Sequence, residues 1–480
     1  MVNRKRIFIV MLISIILFIF TILSQGLIQN SEGVYPNIIF ILIDTLRPDH
    51  LGCYGYLRNT SSQIDSLANH GIVFKNTISQ SPWTKPSIAS LFTSTLPSTH
   101  GVTWRGRNKT LPKSMLTLAE VLKQNGYKTV AFSDNPHITK CNGFDQGFDT
   151  FIENYDWLKG NAEPLTNKVL NWFRENYQKK YFIYIHYLDP HDPYNAPGIY
   201  HDIFLNKKVI DVSNTVKRGN TYVLNGEYHL DRRMKEKLKS ISNPDYPLPT
   251  PLHISKKELN YLIDLYDGEI RYVDYQVGRI ISVLKELKIY DKTTIIISSD
   301  HGEEFLEHGM FRHGYHLYDE IIKVPLIIIS PHFNKTPLKI ETPVNLIDLM
   351  PTVLDLLGIP STSGMKGKSL IPLINQDERV ESLSISETSW KGSSAQTLRL
   401  ANWKYINDIR NERTELFNLG EDSGERNNLH LKESKRAKKL SCLLSDIISK
   451  AYHVTEKSKG KDTQLENKQL EKLKSLGYIQ

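Results

Sequence analysis

Apolar runs alternate along the chain with segments whose apolar residues recur at helical spacing. The runs typical of buried strands are residues 38–43, 128–132, 181–187, 293–297 and 324–329. The segments with helical spacing are residues 61–70, 115–125, 163–177, 255–287 (one helix or a helix pair) and 346–357. This alternation predicts an α/β fold, a three-layer α/β/α arrangement with a mostly parallel central sheet.

The pattern changes after about Leu373. Short alternating segments such as residues 397–400 and 403–406 predict a small C-terminal α+β domain with an antiparallel sheet, and the charged end from Lys432 is predicted to be helical. We therefore expect an N-terminal segment at 1–30, a catalytic domain at 35–375 and a C-terminal domain at 376–480. The Pro- and Asn-rich stretch 192–254 reads as an insertion at the rim of a site.

The N-terminal segment is the most apolar part of the sequence. Residues 4–6 are basic, and residues 7–23 are apolar except for Ser14 and Thr21. Its length and its lack of a polar face favour an uncleaved membrane anchor, with cleavage as a signal peptide as the alternative. The basic flank would stay in the cytoplasm, so the catalytic domain is predicted to be extracytoplasmic, either anchored or secreted after cleavage.

The amino-acid composition argues against several classes of protein. Hydrophobic residues make up 40% and charged residues 23% of the chain, which excludes disorder of the whole protein. The net charge of +8 is concentrated near the ends, without the interleaved basic and aromatic residues that would indicate nucleic-acid binding. The three cysteines form neither a disulfide framework nor a zinc-binding spacing.

Two of the predicted strands end in acidic residues. Asp44 follows the first strand, and Asp300 follows the strand at 293–297, with His301 next to it. Ligands of open α/β sheets bind at the carboxyl ends of strands, and two carboxylates there can share a divalent cation. The alternative for either aspartate alone is a turn or a helix cap.

Thr84 stands in the segment WTKPSIASL, residues 83–91. Pro86 and the apolar residues after it place Thr84 at or just before a helix N-terminus, where amide groups and the helix dipole favour an anion. A hydroxyl at that position can serve as a nucleophile once a metal lowers its pKa. The alternative is that Thr84 is only an N-cap.

Several motifs occur together in one order. Residues 41–55 (ILIDTLRPDHLGCYG), 83–94 (WTKPSIASLFTS) and 299–303 (SDHGE) resemble the opening motif, the nucleophile segment and the second metal motif of the sulfatase family, in the alkaline phosphatase superfamily. His308-Gly309 and residues 266–270, 348–352, 415–419 and 473–478 also fit. The resemblance covers nearly the whole chain after residue 35.

The resemblance implies roles for particular residues. Asp44, Asp300 and His301 would hold one divalent metal ion (Mn, Mg, Ca or Zn), and Thr84 would be the metal-bound nucleophile. This predicts a metal-dependent ester hydrolase or transferase whose partner is an anionic ester of a polysaccharide, a lipid or an envelope polymer.

Histidines around this centre follow from the same resemblance. His191 would contact the substrate anion or the leaving group, and His313 would bind the transferred group. His186 reads either as a site residue or as a core histidine. Asn135 and His137 lie in a segment that often borders the site.

The sequence departs from the family at its nucleophile. Sulfatases carry a cysteine or a serine that is oxidised to formylglycine, whereas Thr84 could be oxidised only to a ketone, and Ile88 replaces the arginine of that motif. Threonine-nucleophile relatives act on phosphorus and include phosphodiesterases and membrane-anchored phosphoglycerol and phosphoethanolamine transferases. We therefore expect a phosphoester hydrolase or phosphotransferase. The first alternative is a sulfuric ester hydrolase without formylglycine, and the second is a non-catalytic membrane-anchored binding protein.

Overall fold

The computed structural model describes residues 36–103, 110–154, 162–205, 255–333, 336–376 and 383–455. Its strands are β1 (Asn37–Ile43), β2 (Ile72–Ile78), β3 (Lys128–Ser133), β4 (Thr150–Glu153), β5 (Tyr181–Tyr187), β6 (Thr293–Ser298), β7 (Glu304–Phe305), β8 (Phe311–Arg312), β9 (Lys323–Ile329), β10 (Leu338–Ile340), β11 (Val344–Asn345), β12 (Leu383–Thr388), β13 (Ala395–Leu400), β14 (Trp403–Asp408) and β15 (Arg413–Asn418). Its helices are α1 (Ser62–Ala68), α2 (Thr84–Thr93), α3 (Pro97–His100), α4 (Leu118–Gln124), α5 (Ala162–Asn176), α6 (Ile199–Asp202), α7 (Lys256–Glu286), α8 (Asp319–Ile322), α9 (Leu349–Leu356), α10 (Ile371–Asn375) and α11 (Ser434–Thr455).

The central sheet has the strand order β10-β2-β9-β6-β1-β5-β3-β4, with β11 beside β2. Its pairings are parallel except at β9, which runs antiparallel to both β2 and β6. The apolar run of β9 predicts a buried strand, but the direction of a strand depends on the connection before it and not on its own residues. The sheet is therefore mostly parallel, as predicted, with one reversed strand in its described part.

Both faces of this sheet are covered. Ile39, Ile41 and Ile43 of β1 pack in one buried cluster with Val169 of α5 and Val277 of α7. The even-numbered residues pack in a second cluster with Ile88 of α2 and Leu122 of α4. Successive side chains of a strand point to opposite faces, so a strand that is apolar throughout requires helices on both sides. This confirms the three-layer α/β/α prediction.

The C-terminal sheet is antiparallel, in the order β12-β13-β14-β15. Leu398 of β13 and Leu416 of β15 pack with Leu440 and Leu444 of α11, so the helix covers one face of the sheet. The antiparallel C-terminal sheet and the helical character of the end are confirmed for the residues described. The predicted domain boundaries stay a prediction, and residues 456–480 lie outside the described ranges.

Some predicted elements differ in detail. Residues 255–287 form one helix, α7, which begins after a capping box of Ser255 and Glu258. The segment 346–357 is divided into a 3-10 turn and α9. Of the predicted insertion 192–254, residues 206–254 lie outside the described ranges.

The membrane prediction requires correction. No helix in the described part of the chain combines the length and the apolar character needed to cross a bilayer. The stretch that carried the prediction, residues 7–23, lies outside the described ranges. The predictions of a transmembrane anchor and of a membrane-anchored, extracytoplasmic location are therefore not retained.

Candidate active site

Three adjacent parallel strands, β5, β1 and β6, meet at the carboxyl edge of the central sheet. Leu42 of β1 pairs with His186 of β5 on one side and with Ser298 of β6 on the other. Asp44 and Asp300 lie just beyond the ends of β1 and β6. One ligand atom from each of Asp44, His186 and Asp300 lies within 4.8 Å of the others.

These side chains have the properties of a cation site. Asp44 and Asp300 are fully buried, and neither Oδ1 of Asp44 nor Oδ2 of Asp300 has a hydrogen-bond partner among the described residues. Asn135 Nδ2 donates to the other Asp44 oxygen at 2.5 Å, and His186 Nε2 lies 3.4 Å from it. Burial and the Asp300 charge raise the pKa of Asp44 well above its ordinary value. Two crowded carboxylates of this kind fit a divalent cation, which would neutralise them.

Thr84 and His301 complete the predicted set. Thr84 Oγ1 lies 3.2 Å from His301 Nε2, which in turn is 3.3 Å from Asp300 Oδ2 and 3.7 Å from Asp44 Oδ1. The structure thus brings together all four predicted metal residues. His186, for which the sequence left a core position open, lies with them.

The first residue of α2 is Thr84, so its hydroxyl lies at the positive end of the helix dipole. The N-cap is Trp83, which makes no side-chain cap hydrogen bond, and the N-cap alternative for Thr84 is therefore wrong. Ser87 Oγ donates to the Asp300 carbonyl oxygen at 2.7 Å and fixes this helix end against the end of β6. Thr84 therefore stands on a helix end that is hydrogen-bonded to the end of β6.

The two predicted substrate histidines lie side by side. The rings of His191 and His313 are 5.0 Å apart, and the His313 ring is 4.3 Å from that of His301. His313 Nδ1 is 2.9 Å from Glu303 Oε1, and His191 Nδ1 is 2.6 Å from the Asp192 carbonyl oxygen. Burial and His313 lower the pKa of His191 to about 4, and burial and His301 lower the pKa of His313 well below its usual range. Both rings are therefore neutral at pH 7 in the ligand-free protein.

Two lysines and one more histidine, Lys85, Lys391 and His137, lie near this pair. The sequence analysis named His137 but neither lysine. Burial lowers the pKa of Lys85 to about 8, and burial together with Lys85 lowers that of His137 well below its usual range. Lys391, from the loop after β12, also repels His137 and His313. The position of Lys85 next to Thr84 was a usable signal, whereas nothing in the local sequence of Lys391 indicated the site.

The arrangement suits one class of reaction. A hydroxyl at a helix N-terminus lies beside a metal-type ligand set, and imidazole and lysine side chains lie close to that set. Such a cluster can bind a tetrahedral anion and offset the charge that develops as the hydroxyl attacks it. The geometry therefore fits transfer of a sulfuryl or phosphoryl group.

Comparison with known proteins agrees with this arrangement. Residues 36–359 match the family described as Sulfatase, and residues 306–451 match N-sulphoglucosamine sulphohydrolase, C-terminal. The Δ4,5-hexuronate-2-O-sulfatase of Bacteroides thetaiotaomicron is 24% identical over 461 residues, which cover 87% of this chain and 89% of that protein.

Solved structures have a similar fold. A protein in complex with its substrate D-glucosamine-2-N,6-O-disulfate superposes with a TM-score of 0.70 and 21% identity, covering 87% of this chain and 98% of the other. The phosphonate monoester hydrolase of Agrobacterium radiobacter superposes with a TM-score of 0.66 and 19% identity, covering 90% of this chain and all (100%) of the other. These identities establish a shared fold.

Proposed function

The chain belongs to the sulfatase family, and from that premise we propose that it hydrolyses sulfate esters of anionic saccharides through an unmodified Thr84. Its relatives in this family include hydrolases of sulfate esters. The named activities of its relatives favour a sulfuric ester hydrolase, the first alternative from the sequence, over the phosphoester hypothesis.

One observation carries the proposal. The Thr84 hydroxyl lies 3.2 Å from His301 Nε2, at the N-terminus of α2 and beside two buried carboxylates. A divalent cation held by Asp44, Thr84, Asp300 and His301, with His186 beside them, would lower the pKa of that hydroxyl. Mn, Mg, Ca and Zn all accept such ligands.

The chain's own residues account for the remaining steps. The Thr84 hydroxyl loses its proton to water, Thr84 Oγ1 attacks sulfur in line, and the bond from sulfur to the leaving oxygen breaks. Protonated His191 or His313 gives that oxygen a proton and is then reprotonated from water. Both rings are neutral in the ligand-free protein, and the bound anion favours their protonated forms. Water then attacks sulfur in the Thr84 sulfate ester, which releases hydrogen sulfate and restores the hydroxyl.

A phosphoester substrate is the second candidate, and Thr84 itself favours it. The threonine β-carbon cannot become the hydrated aldehyde that releases sulfate by elimination, so turnover depends on attack by water or an acceptor alcohol at the transferred group. That two-step displacement is the ordinary route for phosphoryl groups. The cationic cluster around Thr84 would serve a phosphate as well as a sulfate.

Four esters of one phenol would separate the candidates: a sulfate, a phosphate monoester, a phosphodiester and a phosphonate. They would be assayed with each candidate cation in turn, on wild type and on Thr84→Ala and Thr84→Ser. We expect the highest kcat/KM for the sulfate, a loss of about 10³-fold or more in Thr84→Ala, and partial activity in Thr84→Ser. A higher kcat/KM for a phosphorus ester would establish the second candidate. No Thr84-dependent turnover of any ester would leave the non-catalytic alternative.

A further inference from the structure

The tip of the β7–β8 hairpin lies against the segment that follows β15. Glu307 and His308 are in this tip, and His313 comes directly after β8. His308 Nε2 lies 3.1 Å from the Glu425 carbonyl oxygen, and Arg426 Nη1 donates to the Glu307 carbonyl oxygen. Two adjacent contacts therefore hold the hairpin that leads into His313 against the C-terminal part of the chain.

The His308 ring is enclosed and makes a contact at each of its nitrogens. Its side chain is 11% exposed, and the ring stacks on that of Tyr318 with the centroids 3.6 Å apart. Nδ1 lies 2.5 Å from Glu320 Oε1, whereas Nε2 faces the Glu425 carbonyl. A carboxylate and a carbonyl oxygen both accept hydrogen bonds, and a neutral imidazole has only one N–H to donate. The two contacts together therefore fit the protonated ring.

Two glutamates determine the charge state of this ring. Burial opposes protonation, but the hydrogen bond and charge of Glu320, and then the carbonyl and charge of Glu425, outweigh it and raise the pKa of His308. Glu304 Oε1 also accepts from the His308 backbone N–H at 3.0 Å. The other titratable groups in contact with the hairpin tip, Tyr318 or Glu425 are Glu307, His316, Asp319, Lys404 and Arg426.

We propose that the His308 imidazolium is a pH-sensitive latch that holds the β7–β8 hairpin against the segment after β15. Loss of its proton removes the ion pair with Glu320 and leaves one of the two acceptors without a donor, so the hairpin tip can separate from Glu425. Because His313 follows directly on this hairpin, the open form would hold His313 less firmly. His308 is then a positioning residue, and this role does not depend on which ester is hydrolysed.

The latch closes on the acid side of its transition. A histidine whose pKa is raised on folding stabilises the closed form fully below its ordinary value of about 6.5, and that contribution is lost as the pH rises through the folded pKa. Each unit by which the pKa is raised corresponds to a factor of about ten in the closing equilibrium. We expect the hairpin to open more often in alkaline than in mildly acidic solution.

The test measures the proton and the latch separately in the full chain. NMR of histidine Cε1–H groups across the pH range gives the pKa of His308, with His308→Gln to assign its signal. We expect a value above 6.5 in wild type and a lower one in Glu320→Gln, which keeps the size of the side chain but removes its charge.

Hydrogen exchange followed by mass spectrometry then reports on the peptide 304–313, with exposure times scaled for the intrinsic rate at each pH. At about pH 6, protection in wild type should exceed that in His308→Gln by about 10-fold for each unit by which the pKa is raised. The two should become equal above the His308 pKa. His70→Gln, at an exposed histidine just beyond α1, should match wild type throughout.

A His308 pKa at or below 6.5 would overturn the proposal, and so would an unchanged pKa in Glu320→Gln. A protection ratio between wild type and His308→Gln that is the same on both sides of the transition would contradict the latch itself. If His308→Gln does not fold, wild type alone decides, because protection of peptide 304–313 that stays constant from about pH 6 to about pH 9 is incompatible with the proposal.

Discussion

Asp44 and Asp300 place two buried carboxylates at the ends of neighbouring strands, each with an oxygen that accepts no hydrogen bond from the described residues. Without a cation their mutual repulsion opposes folding, and a bound cation converts the same oxygens into ligands. The candidate metal centre is therefore expected to couple cation binding to stability.

A substitution at Asp44 tests this coupling without measuring activity. In wild type after chelation, adding the cognate cation at about 100 times its Kd should raise the free energy of unfolding by about 2.7 kcal/mol. Asp44→Asn should abolish this gain, because it removes a charged ligand. Thermal unfolding with Mg²⁺, Mn²⁺, Ca²⁺ and Zn²⁺ in turn is the measurement, with Asp446→Asn on the exposed face of α11 as control. Equal stabilisation of wild type and Asp44→Asn would contradict the metal assignment.

The sequence predicted the location of some site residues but not of others. Asp44, Thr84 and the Asp300-His301 pair follow motifs that are contiguous in the chain, so their proximity could be predicted. His186 could not be assigned, because a histidine near the end of an apolar strand reads equally as core and as ligand. Its register opposite Leu42, beside Asp44, decides its position.

At the level of elements, α2 and the short helix α3 are linked through His100. Val102 N donates to His100 Nδ1 at 3.1 Å, so the proton is on Nε2, which lies 3.0 Å from Ser90 Oγ of α2. Burial lowers the pKa of His100 to about 3 from an ordinary value of 6.5. The folded protein thus requires a neutral ring at this position.

Because of this requirement, the stability of the folded protein is expected to decrease as the pH is lowered. Between pH 6.5 and about 3 the unfolded chain takes up a proton at His100 that the folded chain refuses, so stability falls as pH falls. His100→Gln should flatten the plot of unfolding free energy against pH by up to about 1.4 kcal/mol per unit in that window. Urea unfolding at several pH values measures it, and the two plots should be parallel above pH 7. Plots that stay parallel down to pH 4 would contradict the assignment.

The direction of a strand is a feature of the fold that the sequence pattern did not predict. The apolar runs located β1, β5, β6 and β9, because burial on both faces leaves a continuous hydrophobic signal. The reversal of β9 has no such signal, since its residues would be equally buried in either direction. It depends on the path of the chain from β6 through the β7–β8 hairpin that carries His313.

For the whole molecule, the docking of the C-terminal sheet is what completes the candidate site. Lys404 of β14 is buried, and its Nζ lies 2.7 Å from Asp319 Oδ1 and 2.7 Å from Glu425 Oε1. Asp319 begins α8, immediately before β9 of the central sheet. One ammonium group thus links the two sheets.

Removal of this ammonium should be costly. Lys404→Met leaves two buried acids without their shared partner and should lower the free energy of unfolding by about 3–5 kcal/mol. The control, Lys450→Met, removes an exposed lysine whose partner Asp446 is four residues away, and should cost about 0.3–0.5 kcal/mol. Denaturant unfolding compares the two variants. A loss in Lys404→Met no larger than the control would mean that the link contributes little.

The same docking explains why the sequence did not identify Lys391 as a residue near the candidate site. The strand pattern predicted an antiparallel C-terminal sheet, but it could not show which of its loops faces Thr84. That depends on contacts between distant segments, such as Trp390 with Trp83. The residues of the candidate metal site could thus be predicted from local motifs, and the contribution of the C-terminal sheet could not.

The central claim is that Thr84 itself takes the transferred group. Because a threonine sulfate ester cannot be released by elimination, water must attack it, and the intermediate should persist long enough to isolate. Wild type turning over an aryl sulfate would be quenched in acid, digested and analysed by high-resolution mass spectrometry, with Thr84→Ala as control. We predict a sulfo group on the Thr84 peptide in wild type alone. An unmodified Thr84 during active turnover, or a modified residue elsewhere, would contradict the account.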